Sequence, residues 1–135
     1  MRVGHICLEV SDLNKANGFY VPLLERLGFK VILADKDTIG VSNGTFAVWL
    51  TRVESKRVER KPPTGEEFVV ADHFALLVAN RNTVNEVAKA MEGSGFKPLF
   101  PPEEHPEFTQ GYYSASFCDN DNNVIELYAI EKQEE

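Results

Sequence analysis

Near its start the chain reads His5-Ile6-Cys7-Leu8-Glu9-Val10, and near its middle it reads His73-Phe74-Ala75-Leu76-Leu77-Val78. Each stretch is followed by a Gly-Phe pair, because Gly28-Phe29 lies 23 residues after His5 and Gly95-Phe96 lies 22 residues after His73. The two histidines are 68 residues apart, about half of the 135 residues. The sequence therefore indicates two copies of one small unit that together fill the chain.

Each copy is predicted to have the element order βαβββ. In copy one the strands are predicted over residues 3–10, 29–34, 38–42 and 45–52. Asn43-Gly44 is the expected hairpin turn between the last two strands. Asp12 is the expected N-cap of the helix, Gly28 is its expected stop, and Pro22 is expected to kink or split it.

Copy two repeats this order. Its strands are predicted over residues 72–79, 96–100, 111–118 and 123–130. The capping box Thr83-Val84-Asn85-Glu86 is expected to open the helix, which ends at Gly93 and Gly95. Residues 100–110 are rich in proline and longer than a hairpin requires. They are expected to form either a flap near a site or an irregular surface connection.

Length and composition predict one globular domain over residues 1–135, of which 43% are hydrophobic. We place module one at about 1–52, a linker at about 53–70 and module two at about 71–131. No apolar run approaches the ~20 residues that span a bilayer, and the N-terminus lacks the apolar region of a secretory signal. A cytoplasmic protein that does not bind membranes is expected, and Cys7 and Cys118 are expected to be reduced thiols.

The charge distribution argues against nucleic acid as a partner. The net charge is −7, and residues 1–67 carry 10 Lys and Arg against 9 Asp and Glu, whereas residues 68–135 carry 4 against 12. Basic residues do cluster over 52–61, but Glu54 and Glu59 interrupt the cluster and two prolines follow it. We interpret this cluster as part of a solvated linker rather than as a site that binds phosphates.

Strand alternation predicts which side chains lie opposite the helices. If the apolar residues of each first strand pack on a helix, His5 and Glu9 of copy one and His73 of copy two lie on the opposite face. The same alternation in the last strand places Glu126 and Tyr128 on that face. Both histidines and one glutamate therefore share the face that the helices leave open.

His5, His73 and Glu126 form a set of two imidazoles and one carboxylate. Such a set binds divalent Fe, Mn, Zn, Ni or Co and leaves coordination positions open for a substrate. In a duplicated protein, distant histidines can meet across a pseudo-two-fold axis. Each histidine taken alone has another interpretation, as a hydrogen-bonded residue of the core or surface.

These residues resemble the vicinal oxygen chelate superfamily, which includes glyoxalase I, extradiol dioxygenases, fosfomycin-modifying enzymes and bleomycin-binding resistance proteins. The stretches similar to its first-module signature are His5–Val10, Asp12-Leu13, Phe19-Tyr20 and Gly28-Phe29. Those similar to the second are His73 and Phe117–Leu127. In the second signature Asn120 and Asn122 replace the usual proline and glycine, and asparagine tolerates the left-handed backbone of such a turn.

The resemblance implies an α+β fold of two tandem βαβββ modules, whose curled mixed sheets surround a cleft. It implies one divalent metal ion held by His5, His73 and Glu126, a small-molecule substrate, and a homodimer. One position departs from glyoxalase I. When Ala47–Leu50 is aligned with Val124–Leu127, Trp49 takes the place of that enzyme's fourth, glutamate ligand. Glyoxalase I chemistry would then need its base from Glu9 or from a dimer partner.

Aromatic residues supply candidates for substrate binding. Trp49 is expected to join Tyr112 and Tyr128 in an aromatic wall suited to a flat or apolar substrate. Trp49 has an equally good interpretation as a plug of the pocket or as part of a dimer interface. Ser114 and Ser116 are further candidates for substrate binding, but no cluster of Lys or Arg accompanies them to hold a phosphonate.

The candidate catalytic residues are Glu9, Tyr112 and His105. Glu9 is a possible general base, although a salt-bridged surface acid is the interpretation that we favour for it. His105 and Tyr112 are candidates for the acid and base of ring-cleaving chemistry. The leading hypothesis is a glyoxalase-like, metal-dependent enzyme of lyase, dioxygenase or transferase type that binds vicinal oxygens of a small substrate. The alternative is a metal-free binding protein of the bleomycin-resistance type.

Overall fold

A computed structural model describes residues 1–54 and 73–132. The helices and strands, in chain order, are β1 His5–Val10, α1 Leu13–Glu25, β2 Lys30–Ala34, β3 Thr38–Ser42, β4 Ala47–Arg52, β5 His73–Leu77, α2 Arg81–Gly93, β6 Pro98–Glu104, β7 Tyr112–Cys118 and β8 Val124–Ile130. The order βαβββ therefore occurs twice. The fold is α+β with two tandem modules, as the repeated sequence pattern predicts.

Each module forms one mixed sheet of four strands. The strand orders are β1-β4-β3-β2 and β5-β8-β7-β6, so the first and last strands of each module are neighbours. These neighbours pair in parallel, and the remaining pairs are antiparallel. By its contacts the chain divides into two compact units. Unit one contains residues 1–54 with Asp119–Asp121, and unit two contains residues 73–118 and 122–132.

The alternation within the strands separates a helix-packed face from an open face in each sheet. In unit one, Leu50 and Ile39 are directly paired and buried, whereas Trp49 and Thr51 on either side of Leu50 are partly exposed. The core of unit one consists of Val10, Ala16, Phe19, Tyr20, Leu23, Leu24, Phe29, Ile39, Val41, Val48 and Leu50. The core of unit two includes Val84, Val87, Ala88, Met91, Ala115, Phe117, Ile125, Leu127 and Ala129. The faces are therefore those that the sequence pattern predicts.

Both helices begin with a side-chain cap. The carboxylate of Asp12 accepts a hydrogen bond from the Lys15 backbone N–H at 3.0 Å, which confirms the predicted N-cap of α1. The predicted cap of α2 was wrong, because Asn80 rather than Thr83 takes this position. The Asn80 side chain accepts from the Thr83 backbone N–H at 2.9 Å and from the Thr83 hydroxyl at 3.1 Å. Thr83 is thus the third residue of the helix.

Both helices end in the same way. Gly28 and Gly95 follow them in the left-handed region, with φ of 87° and 91°. The next residue then closes the turn, because Phe29 N–H donates to Leu24 at 3.0 Å and Phe96 N–H donates to a backbone carbonyl at 2.9 Å. Pro22 does not split the helix, since α1 runs from Leu13 to Glu25. Pro22 lacks the N–H that would donate to the carbonyl four residues earlier, and the helix ends three residues after it.

Two predicted loops differ in length from those observed. The connection between β3 and β4 spans the four residues 43–46. Within it the Asn43 side chain accepts hydrogen bonds from the backbone N–H groups of Thr45 and Phe46. The predicted connection over residues 100–110 was too long. Strand β6 continues through Pro101-Pro102 to Glu104, with register shifts on either side of Phe100. An edge strand tolerates these prolines, since one side of it needs no backbone donors.

Asp119–Asp121, which follow β7, belong by their contacts to unit one. Asp119 accepts a hydrogen bond from the buried Tyr20 hydroxyl at 2.7 Å. Asp121 accepts from the backbone N–H of Ser11 at 2.9 Å and from its hydroxyl at 2.5 Å. Asn122 follows with φ of 63°, the left-handed conformation that its residue type predicts.

The predicted linker at about 53–70, with its basic cluster, lies for the most part outside the described residues. Within the described ranges, neither helix is long and apolar enough to cross a membrane.

Candidate functional site

Glu126 is a buried carboxylate on the open face of unit two. It is 3% exposed and lies between Ala75 of β5 and Ser116 of β7, with which it is directly paired in register. Burial of a carboxylate is unfavourable unless hydrogen bonds or a cation stabilise its charge. Among the described residues, no Lys or Arg forms an ion pair with it. This location marks Glu126 as a residue whose burial requires explanation.

Tyr112 supplies one stabilising contact to Glu126. Its hydroxyl donates a hydrogen bond to Glu126 Oε2 at 2.7 Å. Burial raises the pKa of the Tyr112 phenol well above its ordinary range, and the hydrogen bond to Glu126 and the charge of that carboxylate add to the effect. The phenol therefore stays protonated and donates at neutral pH. This arrangement favours a donor role for Tyr112 over the role of general base.

Tyr112 is also the centre of an aromatic cluster, which we define as His105, Phe108, Tyr112 and Tyr128. The Tyr112 and Tyr128 rings are stacked, with centroids 4.9 Å apart and planes 10° apart. Phe108 meets the edge of Tyr112 at 5.4 Å, and His105 meets it at 6.5 Å. Tyr112 and Tyr128 therefore stack on each other in unit two, and their role in substrate binding stays a prediction.

His105 is a buried histidine in the loop that follows β6. It is 7% exposed, and its ring stacks on Phe108 at 5.3 Å. Its Nδ1 lies 2.8 Å from Glu107 Oε1, and its Nε2 lies 3.9 Å from Glu103 Oε1. The hydrogen bond from His105 lowers the pKa of the exposed Glu107 carboxyl. His105 thus contacts the ring of Tyr112, and its Nδ1 forms a hydrogen bond with the Glu107 carboxylate.

The two predicted serines lie beside this cluster. Ser114 pairs with Tyr128 and Ser116 pairs with Glu126, so both serines face the same side as Glu126. Ser116 is completely buried, and its hydroxyl has no hydrogen-bond partner within the described residues. A buried hydroxyl of this kind has unused capacity to donate or accept.

His73 occupies the start of the same open face. It begins β5, is exposed, and pairs with Val124. Glu126 lies two residues farther along the neighbouring parallel strand, which corresponds to about 7 Å of strand length. The sheet therefore brings a histidine and a carboxylate of the predicted set onto one face of unit two.

Unit one contributes His5, Glu9 and Trp49 on its own open face. His5 is exposed and pairs with Ala47, and Glu9 is partly exposed and pairs with Thr51. Cys7 lies between them in β1, and its sulfur lies 3.4 Å from the Thr51 hydroxyl oxygen. The predicted open-face positions of all three residues are confirmed by the register.

Trp49 lies against Gly40, its directly paired neighbour in β3. A methyl group at Gly40 would come within 2.3 Å of the six-membered ring of Trp49. The absence of a side chain at Gly40 therefore lets the indole lie flat on the sheet. Trp49 remains partly exposed, so it presents an aromatic surface on the open face.

The two modules confirm the alignment of Trp49 with Glu126. His5 pairs with Ala47 and His73 pairs with Val124, each at the start of the parallel ladder. Two residues along, Trp49 and Glu126 occupy equivalent positions. One module thus carries an indole where the other carries a carboxylate.

Within residues 1–54 and 73–132, no group of three or more His, Cys, Asp and Glu side chains is drawn together for metal binding. His73 and Glu126 share one face of unit two, whereas His5 belongs to unit one. The convergence of all three therefore stays a prediction.

Sequence reasoning missed Gly40, Glu107 and Phe108 as neighbours of the candidate residues. Gly40 could have been recognised, because an isolated glycine in a strand, here between Ile39 and Val41, is a signal that another group approaches the backbone closely. Glu107 and Phe108 lie in a loop, where no periodicity indicates which side chains turn inward.

Comparison with known proteins establishes the family. The model of the Glyoxalase/Bleomycin resistance protein/Dioxygenase superfamily matches residues 2–127. The chain belongs to this superfamily. No curated protein matches the sequence. The superfamily assignment agrees with the two tandem βαβββ modules.

Solved structures of this superfamily share the fold. A putative glyoxalase from Bacillus halodurans is 20% identical, with a TM-score of 0.73 over 94% of each chain. Lactoylglutathione lyase from Agrobacterium tumefaciens is 19% identical, with a TM-score of 0.64 over 95% of this chain and 92% of that one. The fosfomycin resistance protein FosX from Mesorhizobium loti is 18% identical, with a TM-score of 0.64 over 95% and 91%. At these identities the likeness concerns the fold.

We expect Gly40→Ala to destabilise the protein by about 1–3 kcal/mol, because the new methyl group displaces the Trp49 ring. Unfolding in urea measures the change, and the fluorescence of the single tryptophan reports the displacement. The same substitution in a Trp49→Ala background is the matched control and should cost much less. Equal costs in the two backgrounds would contradict the proposed contact.

We expect the phenol of Tyr112 to titrate above the ordinary tyrosine pKa of about 10. Because the folded-state pKa is raised, the stabilisation linked to this group is complete below about pH 10 and declines as the pH rises above that value. The ultraviolet titration of the wild type minus that of Tyr112→Phe isolates the group. A difference curve centred at or below about pH 10 would refute the expectation.

Proposed function

We propose that this protein is a metal-dependent enzyme that binds adjacent oxygens of a small substrate, with His5, His73 and Glu126 as ligands of one divalent ion. Zn, Ni, Fe, Mn and Co suit this donor set. The observation that carries the proposal is the burial of Glu126 on the open face, where Tyr112 donates to one of its oxygens.

The residues present fit a divalent cation. Tyr112 orients Glu126, but a neutral phenol leaves the negative charge of the carboxylate in place. No described Lys or Arg pairs with that carboxylate, so a metal ion would supply the missing positive charge. His73 lies on the adjacent strand, two residues before the residue that pairs with Glu126. His5 holds the equivalent position in the other module. Tyr112 would be the hydrogen-bonded partner that orients Glu126, as metal ligands commonly require.

When bound, the ion would act as a Lewis acid toward the substrate oxygens. The chain's own residues then bind and orient the substrate. Trp49 and Tyr128 offer aromatic surfaces for a flat or apolar group, and the Ser116 hydroxyl has hydrogen-bonding capacity to spare. Lyase, dioxygenase and transferase reactions of this kind all need a group that moves a proton.

Two groups are proposed for proton transfer. Glu9 lies on the open face of unit one and is the proposed base. His105 in unit two is the proposed acid, because it is buried beside the ring of Tyr112 and its imidazole can carry a proton. The phenol of Tyr112 holds its own proton and serves to position Glu126.

A metal-free binding protein of the bleomycin-resistance type is the second candidate. The stacked pair Tyr112–Tyr128 and the partly exposed Trp49 favour it, because ring stacking alone can hold a planar ligand. Such a protein has no need of Glu126 as a ligand. Metal content therefore separates the two candidates.

We expect the protein purified without chelator to contain one divalent metal ion per chain, and His73→Ala to abolish it. Each ligand supplies a large share of the affinity, so one missing imidazole prevents stoichiometric binding. Elemental analysis by plasma mass spectrometry makes the measurement, with circular dichroism as the check on folding.

His105→Ala is the matched control, because it removes the third of the three histidines and should leave the metal in place. Stoichiometric metal in the His73→Ala protein would exclude His73 as a ligand. A wild type that neither contains metal nor takes up Zn or Mn would favour the binding protein.

We expect the metal-loaded protein to be a poor glyoxalase I. That reaction moves a proton between adjacent carbons, and Trp49 stands where the module symmetry would place a second carboxylate. The assay uses the hemithioacetal of methylglyoxal and glutathione. Turnover in the ordinary enzyme range of about 1 to 10³ s⁻¹ would refute this expectation. Loss of such turnover in Glu9→Gln would then identify Glu9 as the base.

A further inference from the structure

Arg81, the first residue of α2, lies between two acidic side chains of unit two. Its guanidinium forms an ion pair with Glu104, the last residue of β6. Its Nε lies 3.9 Å from Glu131 Oε2, and its backbone N–H donates to Glu131 Oε1 at 2.9 Å. Within residues 1–54 and 73–132, no other cation pairs with either acid. Arg81 therefore joins the end of β6 to the residue directly after β8.

The guanidinium of Arg81 also lies on an aromatic ring. Its central carbon is 4.9 Å from the ring centroid of Tyr113, and the Tyr113 hydroxyl donates to Asn85 Oδ1 at 2.6 Å. A planar guanidinium can rest on a ring while its edge nitrogens face two carboxylates. The single ammonium of a lysine would offer one point of contact instead. The three contacts thus use the particular shape of arginine.

The two acids lie at the two ends of the β6–β7 loop, which we define as residues 105–111. Glu104 directly precedes the loop. At its other end, the Glu131 backbone N–H donates to the Gly111 carbonyl at 3.0 Å. Gly111 has φ of 84°, and a methyl group there would come within 2.3 Å of the Glu131 carbonyl oxygen. Arg81 therefore reaches one end of the loop directly and the other end through Glu131.

A cavity of about 190 Å³ lies between Arg81 and the β6–β7 loop. Pro106 and Gln110 of the loop line it together with Arg81. Every residue over 106–110 is exposed, so the middle of the loop has little apolar packing. The contacts at the two ends of the loop therefore contribute much of what holds it on this side.

The β6–β7 loop carries the groups that contact Tyr112. His105 stacks on Phe108, and both rings meet the ring of Tyr112. The backbone adds hydrogen bonds from Phe108 N–H to the His105 carbonyl at 3.0 Å and from Tyr112 N–H to the Thr109 carbonyl at 3.1 Å. Because the Tyr112 hydroxyl donates to Glu126, a displacement of the loop would disturb the orientation of that carboxylate.

From these contacts we infer that Arg81 is a positioning residue for the open face of unit two. It holds both ends of the β6–β7 loop, and the loop holds Tyr112 against Glu126. Arg81 acts from the helix-packed side, because Tyr113, on which it lies, points to the side of the sheet opposite to Tyr112. The inference rests on the proposed function only in the role that Glu126 has there as a metal ligand.

The test compares Arg81→Met with Arg52→Met. Methionine keeps much of the apolar stem of arginine and removes the guanidinium. Arg52 is the matched control, because it also pairs with an exposed carboxylate, that of Asp37 at 2.8 Å, but it belongs to unit one. Arg52→Met therefore removes a similar ion pair without changing the contacts of the β6–β7 loop.

Hydrogen exchange followed by NMR measures how firmly the β6–β7 loop is held. We expect the amides of Phe108 and Tyr112 to exchange about 10-fold or more faster in Arg81→Met, while the amide of the buried Leu127 in β8 is unchanged. Arg52→Met should leave the two loop amides at their wild-type rates. Wild-type rates in Arg81→Met would overturn the inference. Equal acceleration at Leu127 would also overturn it, because that result reports a loss of global stability.

Zinc affinity tests the consequence for Glu126. Competition with a chromophoric chelator measures it, and we expect Arg81→Met to weaken binding about 10-fold, as is typical when the support of a metal ligand is lost. Arg52→Met should bind zinc as the wild type does. Unchanged affinity in Arg81→Met would contradict the positioning role. A wild type that binds no zinc would instead count against the proposed function, and hydrogen exchange would then decide the inference alone.

Glu104→Gln keeps the inference testable should Arg81→Met fail to fold. The Glu104 side chain is 54% exposed, so its change to an amide of the same shape is compatible with folding. It removes the charge that Arg81 contacts at one end of the loop, and the Phe108 amide should again exchange faster. Glu92→Gln is the control, because Glu92 is exposed in α2 away from this ion pair. Equal exchange at Phe108 in the two variants would overturn the inference.

Discussion

The parallel pairing of the first and last strands is the constraint on which the arrangement of each module depends. It fixes the register, and through the register it fixes the face on which each side chain lies. His5 reaches the open face because it is level with Ala47, and His73 does so because it is level with Val124. A shift of one residue would turn Glu126 into the apolar core. The packing of Ile125 and Leu127 against the helix side therefore holds the site in position.

The open face of unit two is organised around the Tyr112–Glu126 hydrogen bond. Tyr112 fills three roles, because it donates to the carboxylate, stacks on Tyr128 and meets the ring of His105. A change at any of these residues will be felt by the others, as expected of a buried polar network. Among the described residues of unit one, no equivalent hydrogen-bond network surrounds Trp49, whose position depends on the space above Gly40.

The sequence predicted the features that depend on periodicity. Alternation in β1, β5 and β8 was enough to assign the open face, and the repeat was enough to align Trp49 with Glu126. Features that depend on a choice between neighbouring residues of similar propensity were predicted less well. Asn80 and Thr83 are both good capping residues, and the choice between them is made by where the chain leaves β5. The prolines of β6 led to the prediction of a loop, because the sequence does not reveal that this strand lies at the edge of its sheet.

The partners of Glu126 and His105 were only partly accessible to sequence reasoning. Tyr112 was a candidate for chemistry, but its hydrogen bond to Glu126 depends on the exact register of the β7–β8 hairpin. Glu107 contacts His105 from two residues away within a loop, where alternation has no meaning. His5 and His73 illustrate a further limit, because symmetry suggests that they act together while each is positioned by its own sheet.

The short segment Asp119–Asp121 has a consequence for the folding of the chain. It lies within the second sequence repeat, yet Asp119 accepts from the buried Tyr20 and Asp121 accepts from Ser11 of the first. A half-chain that ended in the linker would lose the acceptor that Tyr20 uses, at a cost of about 1–3 kcal/mol. The first repeat therefore depends on residues of the second for a hydrogen bond within its own core.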